Sequence, residues 1–134
     1  MTQEALPRME LRRFSAWLGE ARALGGVSLD VRRNERLAII GPAGSGKTTL
    51  LRSLNRMNDL EPGYRHEGEI LLDGRDIHAP GVDVPGLRRR VGMVYATPVV
   101  LPWSIRANMT YGLRLQGRKE PTRSIMGPTT SSRM

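Results

Sequence analysis

The chain has 134 residues, which is enough for one domain with a modest core, and its 39% hydrophobic content is typical of globular proteins. It contains no cysteine, which excludes disulfides and thiolate metal sites, and its longest apolar runs, LAII and VVL, are too short to span a membrane. The net charge is +8, yet the basic residues are scattered apart from residues 88–90. We therefore expect solvated arginines and no nucleic-acid partner. The N-terminus has no apolar h-region, so we expect a cytoplasmic chain.

The first predicted elements surround a glycine-rich segment. VSLDV at residues 27–31 alternates apolar and polar residues, which predicts a strand with one face in water. LAII at residues 37–40 is continuously apolar, which predicts a central strand buried on both faces. After the glycines, one apolar stripe predicts an amphipathic helix, formed by Leu50, Leu51, Leu54 and Met57, with Arg52, Ser53, Asn55 and Arg56 on its polar face.

Later elements are shorter. EILL at residues 69–72 predicts a strand, the Asp-Gly pair at 73–74 a tight turn, and residues 75–78 a return strand. Residues 86–90 predict one short helical turn, and VGMVY at residues 91–95 a further buried strand. Residues 104–115 predict a helix that begins with Ser104 as its N-cap. The stretch from Gly117 onward lacks apolar periodicity, so we expect one domain over residues 1–117 and a disordered tail over residues 118–134.

The segment GPAGSGKT at residues 41–48 has the spacing of a P-loop, between a predicted strand and a predicted helix. Glycines let the backbone curl around phosphates, so that successive N–H groups and the helix N-terminus face negative charge. Lys47 would reach the outer phosphates and stabilise their charge during catalysis, and the Thr48 hydroxyl would bind magnesium. The predicted nucleotide-binding residues of this loop are Gly41, Pro42, Ala43, Gly44, Ser45, Gly46, Lys47, Thr48 and Thr49. The pattern alone does not choose among kinases, GTPases, motor proteins and transport ATPases.

The flanking segments narrow that choice. VSLDV before the loop, EILLDGRDI after it and LRRRVGMVYATPVVLPWSIRANMTYGL further on together resemble the ATP-binding subunit of ABC transporters, over residues 9–117. Within that family, LLRSLNRMNDL and the segment from VGMVYATP to PWSIRANMTYGLR look like the subunit of phosphate importers. The resemblance implies an α/β fold of the P-loop NTPase type, with a Walker A core and an N-terminal β-rich region.

The resemblance also implies a role and partners. Members of this family bind ATP and Mg²⁺ and hydrolyse ATP to energise import, here of inorganic phosphate. They work as dimers of ATP-binding subunits beneath transmembrane permease subunits. A member would therefore be cytoplasmic and peripheral on the inner face of the cell membrane.

Two positions depart from the family pattern. An aromatic ring that stacks on adenine usually precedes a glycine at this point, whereas here Leu18 precedes Gly19 and Trp17 lies one residue earlier. Trp17 either replaces that ring or is a partly buried packing residue. The family's glutamine, which contacts magnesium and the attacking water, is replaced by Ala96, and Gln116 lies too far along the chain to take its place.

The region after Gly117 shows neither an LSGGQ-like signature, nor an apolar strand ending in Asp-Glu, nor a switch histidine. The expected fold is therefore an incomplete ABC ATPase with an exposed apolar sheet edge, which favours aggregation. We expect a truncated importer subunit that binds ATP without hydrolysing it, while a non-hydrolytic regulatory module and a small-molecule kinase are the alternatives. His66 and His78 are expected to be structural or solvated.

Overall fold

The computed structural model describes residues 6–118, of which those up to Val94 belong to one compact unit and those from Tyr95 to a second. No helix in this part of the chain is long and apolar enough to cross a membrane. The first unit contains four strands, two short α-helices and one 3-10 helix. In chain order they are β1 (Met9–Leu18), β2 (Ala21–Val31), α1 (Lys47–Ser53), the 3-10 helix (Met57–Leu60), β3 (Tyr64–Leu72), β4 (Arg75–Asp76) and α2 (Val84–Arg90).

The four strands form one antiparallel sheet in the order β2-β1-β3-β4. The strands predicted at residues 27–31 and 69–72 are confirmed as parts of β2 and β3. Strand β1, to which the sequence analysis assigned no element, is the central strand of the three long ones. Its apolar residues change from odd to even positions between Leu11 and Phe14, and this change hides the alternation that marks a strand.

A β-bulge in β1 accounts for that change. The pairing register with β3 shifts between Arg12 and Ser15, and Arg13 has a left-handed φ of 45°. The extra residue keeps Leu11 and Phe14 on the same buried face. Gly68 lies opposite the bulge on β3, where a Cβ atom would stand 2.5 Å from the Arg13 carbonyl oxygen. Only glycine allows the two backbones to approach this closely.

The predicted turn at residues 73–74 is confirmed, because Asp73 and Gly74 both have positive φ, 50° and 75°, as a two-residue hairpin requires. The Asp73 carboxylate also accepts hydrogen bonds from three arginines, which are Arg8, Arg33 at 3.0 Å and Arg90 at 2.6 Å. The hydrogen bond from Arg8, more than any other contact, lowers the pKa of Asp73. The turn therefore ties the N-terminal segment and α2 to the sheet.

One face of the sheet carries the hydrophobic core, onto which α1 and α2 pack. Phe14 and Ile70 are fully buried at its centre, and α1 contributes Leu50. The buried hydrophobic cluster consists of Met9, Leu11, Phe14, Ala16, Leu24, Leu50, Ile70, Leu72, Ile77 and Leu87. The core is therefore mostly aliphatic and faces the side of the sheet on which α1 lies.

The prediction of buried strands at residues 37–40 and 91–95 is wrong. Both segments lie outside any strand, and Ile40 and Val94 expose 91% and 97% of their surface. A strand in a parallel sheet is stabilised by hydrogen bonds to neighbouring strands. No strand among residues 6–118 pairs with either segment. Their apolar sequence is that of a buried strand, but the pairing partners that would bury them are missing from the described residues.

The helix after the glycines is shorter than predicted, because α1 ends at Ser53 and Met57 begins the 3-10 helix. Arg56 has a left-handed φ of 60°, which separates the two. The predicted faces are also partly wrong, since Ser53 and Asn55 are buried while Leu51 is 45% exposed. The predicted return strand is confirmed only over β4, and the helical turn at residues 86–90 is confirmed within α2.

The second unit contains α3, Ile105–Leu115. The Ser104 hydroxyl accepts a hydrogen bond from the Ala107 N–H at 3.2 Å, so the predicted N-cap is confirmed. Asn108 holds the preceding loop by bonding both the N–H and the carbonyl of Leu101. The predicted tail, residues 118–134, lies outside the described residues except for Arg118.

Candidate phosphate-binding site

Residues 41–46 form a curled, exposed loop that leads into α1. Gly44 and Gly46 adopt positive φ of 77° and 88°, a region that side chains with a Cβ rarely enter. Gly46 also lies against β2, where an added Cβ would stand 2.5 Å from the Ala23 carbonyl oxygen and 2.9 Å from Leu24. The last glycine of the motif therefore brings the loop and the start of α1 onto the core side of the sheet.

The Lys47 side chain folds back over the loop that precedes it. Its ammonium group donates hydrogen bonds to the carbonyl oxygens of Gly41 at 2.8 Å and Pro42 at 2.6 Å, and to the Ser45 hydroxyl at 3.1 Å. These bonds close the loop into a ring and place one positive charge above it. The structure therefore brings Gly41, Pro42, Ser45 and Lys47 together.

The backbone N–H groups of the loop are largely available for a ligand. Within the loop only the Ser45 N–H bonds a carbonyl, that of Pro42 at 3.3 Å, and the first helical bond runs from the Leu50 N–H to Gly46. Five N–H groups between residues 43 and 48 have no hydrogen-bond acceptor among residues 6–118. They belong to Ala43, Gly44, Gly46, Lys47 and Thr48. Unpaired donors at a helix N-terminus attract anions such as phosphate.

The charge around the loop favours an anion as well. Between Glu35 and Asp59 the sequence contains no acidic residue, whereas it contains Arg36, Lys47, Arg52 and Arg56. Arg52 and Arg56 are paired with Glu61 and Asp59. Lys47 therefore supplies the positive charge of the loop itself, and its present acceptors are neutral oxygens rather than carboxylates.

Thr48 and Thr49 follow in the first turn of α1. Thr48 is exposed, and a hydroxyl at this position can supply one oxygen to a magnesium ion. No group of three or more acidic or histidine side chains that could hold a metal is found among the described residues. The donor set fits magnesium only as an ion held mainly by phosphate oxygens and water, which is how this ion is usually bound in nucleotide sites.

A buried polar group supports the first turn of α1, and the sequence analysis missed it. The Thr49 carbonyl accepts hydrogen bonds from the Ser53 hydroxyl and the Asn58 amide, both at 2.8 Å. The same Asn58 amide donates to the Ser53 oxygen at 2.8 Å, and Asn58 is only 1% exposed. Asparagine beyond a helix end signals a stop, but nothing in its spacing marks it as buried.

Trp17 is not brought to the loop. Ala16 and Leu24 are paired and buried on the core face, so strand alternation places Trp17 on the opposite face and Leu18 back on the core face. The Trp17 ring is covered by two guanidinium groups, that of Arg65 at 4.5 Å and that of Arg22 at 5.6 Å from the ring centroid. Its stacking on adenine remains a prediction.

The two histidines lie in the core rather than near the loop. Their ring centroids lie 3.9 Å apart with the ring planes tilted by 31°, and Phe14 and Tyr64 pack against His66. Burial lowers the pKa of His78 to about 4 and also lowers that of His66. Both ring nitrogens of His78 are buried without a hydrogen-bond partner, so it is held as a neutral packing residue.

Ala96 lies in the second unit and is exposed. Its methyl group offers no oxygen to a metal and no donor to a water molecule.

The loop lies within a segment that matches a known protein family. A profile of the ABC transporter family matches residues 24–131, which is most of the chain and includes the whole loop. The chain belongs to the ABC transporter family. The short antiparallel sheet and the P-loop are thus part of an ABC-type P-loop NTPase domain.

Three similar curated proteins are phosphate import ATP-binding proteins. The chain is 50% identical over 113 residues to PstB of Thermotoga maritima and 50% identical over 111 residues to PstB 1 of Vibrio cholerae. It is 47% identical over 113 residues to PstB of Bacteroides thetaiotaomicron. These alignments cover 83–84% of this chain but only 41–45% of the relatives, so the chain spans less than half of their length.

Proposed function

We propose that this chain is the nucleotide-binding part of an ABC importer subunit that binds ATP with Mg²⁺ and energises the uptake of inorganic phosphate. The observation that carries the proposal is the loop at residues 41–48, in which five backbone N–H groups have no acceptor among the described residues and the Lys47 ammonium bonds only neutral oxygens. The phosphate assignment is supported by the identity of about half of the aligned residues to phosphate import ATP-binding proteins.

In this proposal each part of the loop has one task. The N–H groups of residues 43–48 bind the phosphate oxygens, and Lys47 exchanges one of its carbonyl acceptors for the outer phosphates. Thr48 supplies the single protein oxygen to magnesium. Asn58 and Ser53 act as positioning residues, because they hold the Thr49 carbonyl and thereby the helix turn that carries Thr48.

The proposal includes partners that the family requires. ATP binding does useful work in an importer only when it is coupled to permease subunits, so we propose that the chain acts beneath such subunits, on the cytoplasmic face of the membrane. A second ATP-binding subunit would complete the dimer.

A second candidate is a nucleotide-binding module that does not hydrolyse ATP. Ala96 favours it, because a methyl group cannot orient the attacking water or complete a magnesium shell. The absence of any acidic residue between Glu35 and Asp59 also leaves the loop and α1 without a general base of their own.

Titration calorimetry with Mg·ATP tests the binding part of the proposal. We expect saturable binding that Lys47→Ala weakens by about tenfold or more, because a charged hydrogen bond contributes about 1.5–3 kcal/mol. Lys119→Ala removes the only other lysine and is the matched control for net charge. Equal affinity of the two variants would contradict the proposed site.

A phosphate-release assay tests the non-hydrolytic candidate. The chain alone is expected to show no turnover above background, with or without Lys47. Turnover that disappears in Lys47→Ala would exclude the non-hydrolytic module and leave the importer ATPase.

A further inference from the structure

The three successive arginines of α2, residues 88–90, differ in what their guanidinium groups bind. Arg89 and Arg90 are exposed and pair with carboxylates, at 3.3 and 2.6 Å. Arg88 is half-buried and pairs with no carboxylate among residues 6–118, because it donates to two main-chain carbonyls. Arg88 therefore makes a connection within the fold that its two neighbours do not make.

The carbonyls bound by Arg88 lie just beyond the C-terminal end of α1. Its Nε donates to Asn55 at 3.2 Å and its Nη2 to Arg56 at 2.7 Å. A guanidinium group suits this position, because its donors form a rigid fork and its charge complements the negative end of the helix dipole. The Asn55 side chain in turn donates from Nδ2 to the carbonyl of Val91, the C-cap of α2, at 3.2 Å. Arg88 and Asn55 thus join the ends of α1 and α2, and we call this pair the helix clamp.

The position of α1 depends on such contacts because the helix is short. It has seven residues, and a helix of this length is not stable alone in water. Of its two leucines, Leu50 is buried and Leu51 is 45% exposed, so apolar packing holds one side only. At the N-terminal end, Gly46 lies against Ala23 of β2. The helix clamp fixes the other end.

The helix clamp and the phosphate loop lie at opposite ends of α1. With a rise of 1.5 Å per residue, the C-terminal end of this helix is roughly 10 Å from Lys47. Arg88 therefore acts on a ligand of the loop only through α1, whose first turn carries the N–H groups of Lys47 and Thr48.

We propose that Arg88 is a positioning residue for the phosphate loop: it fixes the end of α1 against α2 and so holds the N–H groups of the first turn in the orientation that binds phosphate. The inference rests on the proposed binding of Mg·ATP at residues 41–48. It adds to that site a residue that touches neither nucleotide nor magnesium. Because coupling between two sites is reciprocal, nucleotide that orders the first turn of α1 also stabilises the attachment of α2.

Titration calorimetry of the full chain with Mg·ATP tests the inference, at a temperature at which circular dichroism shows each variant to be folded. Arg88→Ala should weaken binding by about threefold to thirtyfold. Arg90→Ala is the matched control, because it removes the same charge from the same helix and breaks the bond from α2 to Asp73, but leaves α1 unchanged. This control should lower the midpoint of thermal unfolding and leave the Mg·ATP affinity as it was.

Three results would contradict these expectations. Equal affinities of Arg88→Ala and the unmodified chain would overturn the inference and leave the proposed site intact. Equal losses of affinity in Arg88→Ala and Arg90→Ala would also overturn it, because the lost charge would then explain both. Absence of Mg·ATP binding to the unmodified chain would overturn the proposed function, and the inference with it.

Arg88→Lys is the second variant, for the case in which Arg88→Ala does not fold. Lysine keeps the positive charge but has no rigid fork that spans two carbonyls. We expect its Mg·ATP affinity to fall by about twofold or more, because only part of the helix clamp is kept. In that case, an affinity equal to that of the unmodified chain would overturn the inference.

Hydrogen–deuterium exchange provides a readout that a loss of stability alone does not produce. In the unmodified chain, Mg·ATP should slow exchange of the Leu87 and Val91 amides, which make the helical bonds of α2. The same slowing should occur in Arg90→Ala. In Arg88→Ala, nucleotide should slow exchange of the loop amides only. If nucleotide slows exchange in α2 of Arg88→Ala as much as in the unmodified chain, another route couples the two helices and the inference is wrong.

Discussion

The antiparallel sheet and the phosphate loop differ in whether their backbone hydrogen-bonding groups are paired within the protein. In the sheet, β1 pairs on both sides, and the side chains of Phe14 and Ile70 are fully buried. In the loop, five N–H groups have no acceptor among the described residues, and the apolar segment that precedes it, residues 37–40, exposes Ile40. The strands of the sheet satisfy one another's hydrogen bonds, whereas the loop leaves N–H donors available to a ligand.

The largest expected effect is on the free energy of unfolding, which we compare between a buried isoleucine of the sheet and an exposed isoleucine that precedes the loop. Ile70→Ala removes a fully buried side chain and should lower the free energy of unfolding by about 2–5 kcal/mol. Ile40→Ala, the same change at a side chain that is 91% exposed, should alter it by less than about 0.5 kcal/mol. Urea denaturation measures both. A comparable loss in Ile40→Ala would mean that the Ile40 side chain is packed in solution.

A smaller effect concerns the two left-handed glycines of the loop. Gly46→Ala brings a Cβ to 2.5 Å from the Ala23 carbonyl oxygen, so the loop must move away from β2 and Mg·ATP binding should be lost. Gly44→Ala has similar φ but meets nothing within 4 Å, so it should cost only about 1–2 kcal/mol of conformational strain and retain binding. Calorimetry with both variants checks the difference. Equal losses of Mg·ATP affinity in the two variants would show that glycine is required at position 46 for its positive φ rather than for its contact with β2.

The last expected effect is on how the free energy of unfolding depends on pH. His78 has a pKa lowered from 6.5 to about 4, so the folded state favours the neutral ring. The stabilisation is complete above pH 6.5 and is lost as the pH falls from 6.5 to about 4, by at most about 1.4 kcal/mol per pH unit. The charged groups that act on His78 are Asp59, Asp76 and Arg56, together with His66.

The control for that titration is His78→Phe, which keeps a ring in the stack and removes the proton site. Its free energy of unfolding should vary less between pH 6.5 and 4 than that of the unmodified chain. Asp73, whose pKa is also lowered, contributes in the same direction only at lower pH, near and below its ordinary value of 3.8. An unchanged slope in His78→Phe would exclude His78 as the titrating group.

The sequence predicts the parts of the fold whose signals are local. The Asp-Gly turn and the Ser104 cap each depend on a few adjacent residues, and both are confirmed, although β4 is short. The glycine-rich segment does form a loop before α1, but the strand predicted to precede it is missing from the described residues. Strand β1 escaped prediction because its bulge reverses the alternation at Arg13. The burial of Ser53 and Asn58 escaped it because polar side chains are buried only when their hydrogen bonds are met, here at the Thr49 carbonyl.

The errors at residues 37–40 and 91–95 have a different cause. Continuous apolar sequence predicts burial on both faces, but burial of a strand depends on neighbours that are distant in sequence. More than half the length of each relative lies outside its alignment with this chain. Local sequence therefore described what these segments favour, whereas the pairing partners decide what they form.

Hydrogen–deuterium exchange in the absence and presence of Mg·ATP tests the central claim most directly. Amides of residues 43–48 should exchange fast in the free chain and become protected when nucleotide is added, while those of β1 and β3 are protected in both states. Protection of residues 43–48 that is already high without nucleotide, or that does not change on its addition, would contradict the proposed binding of phosphate by the backbone of this loop.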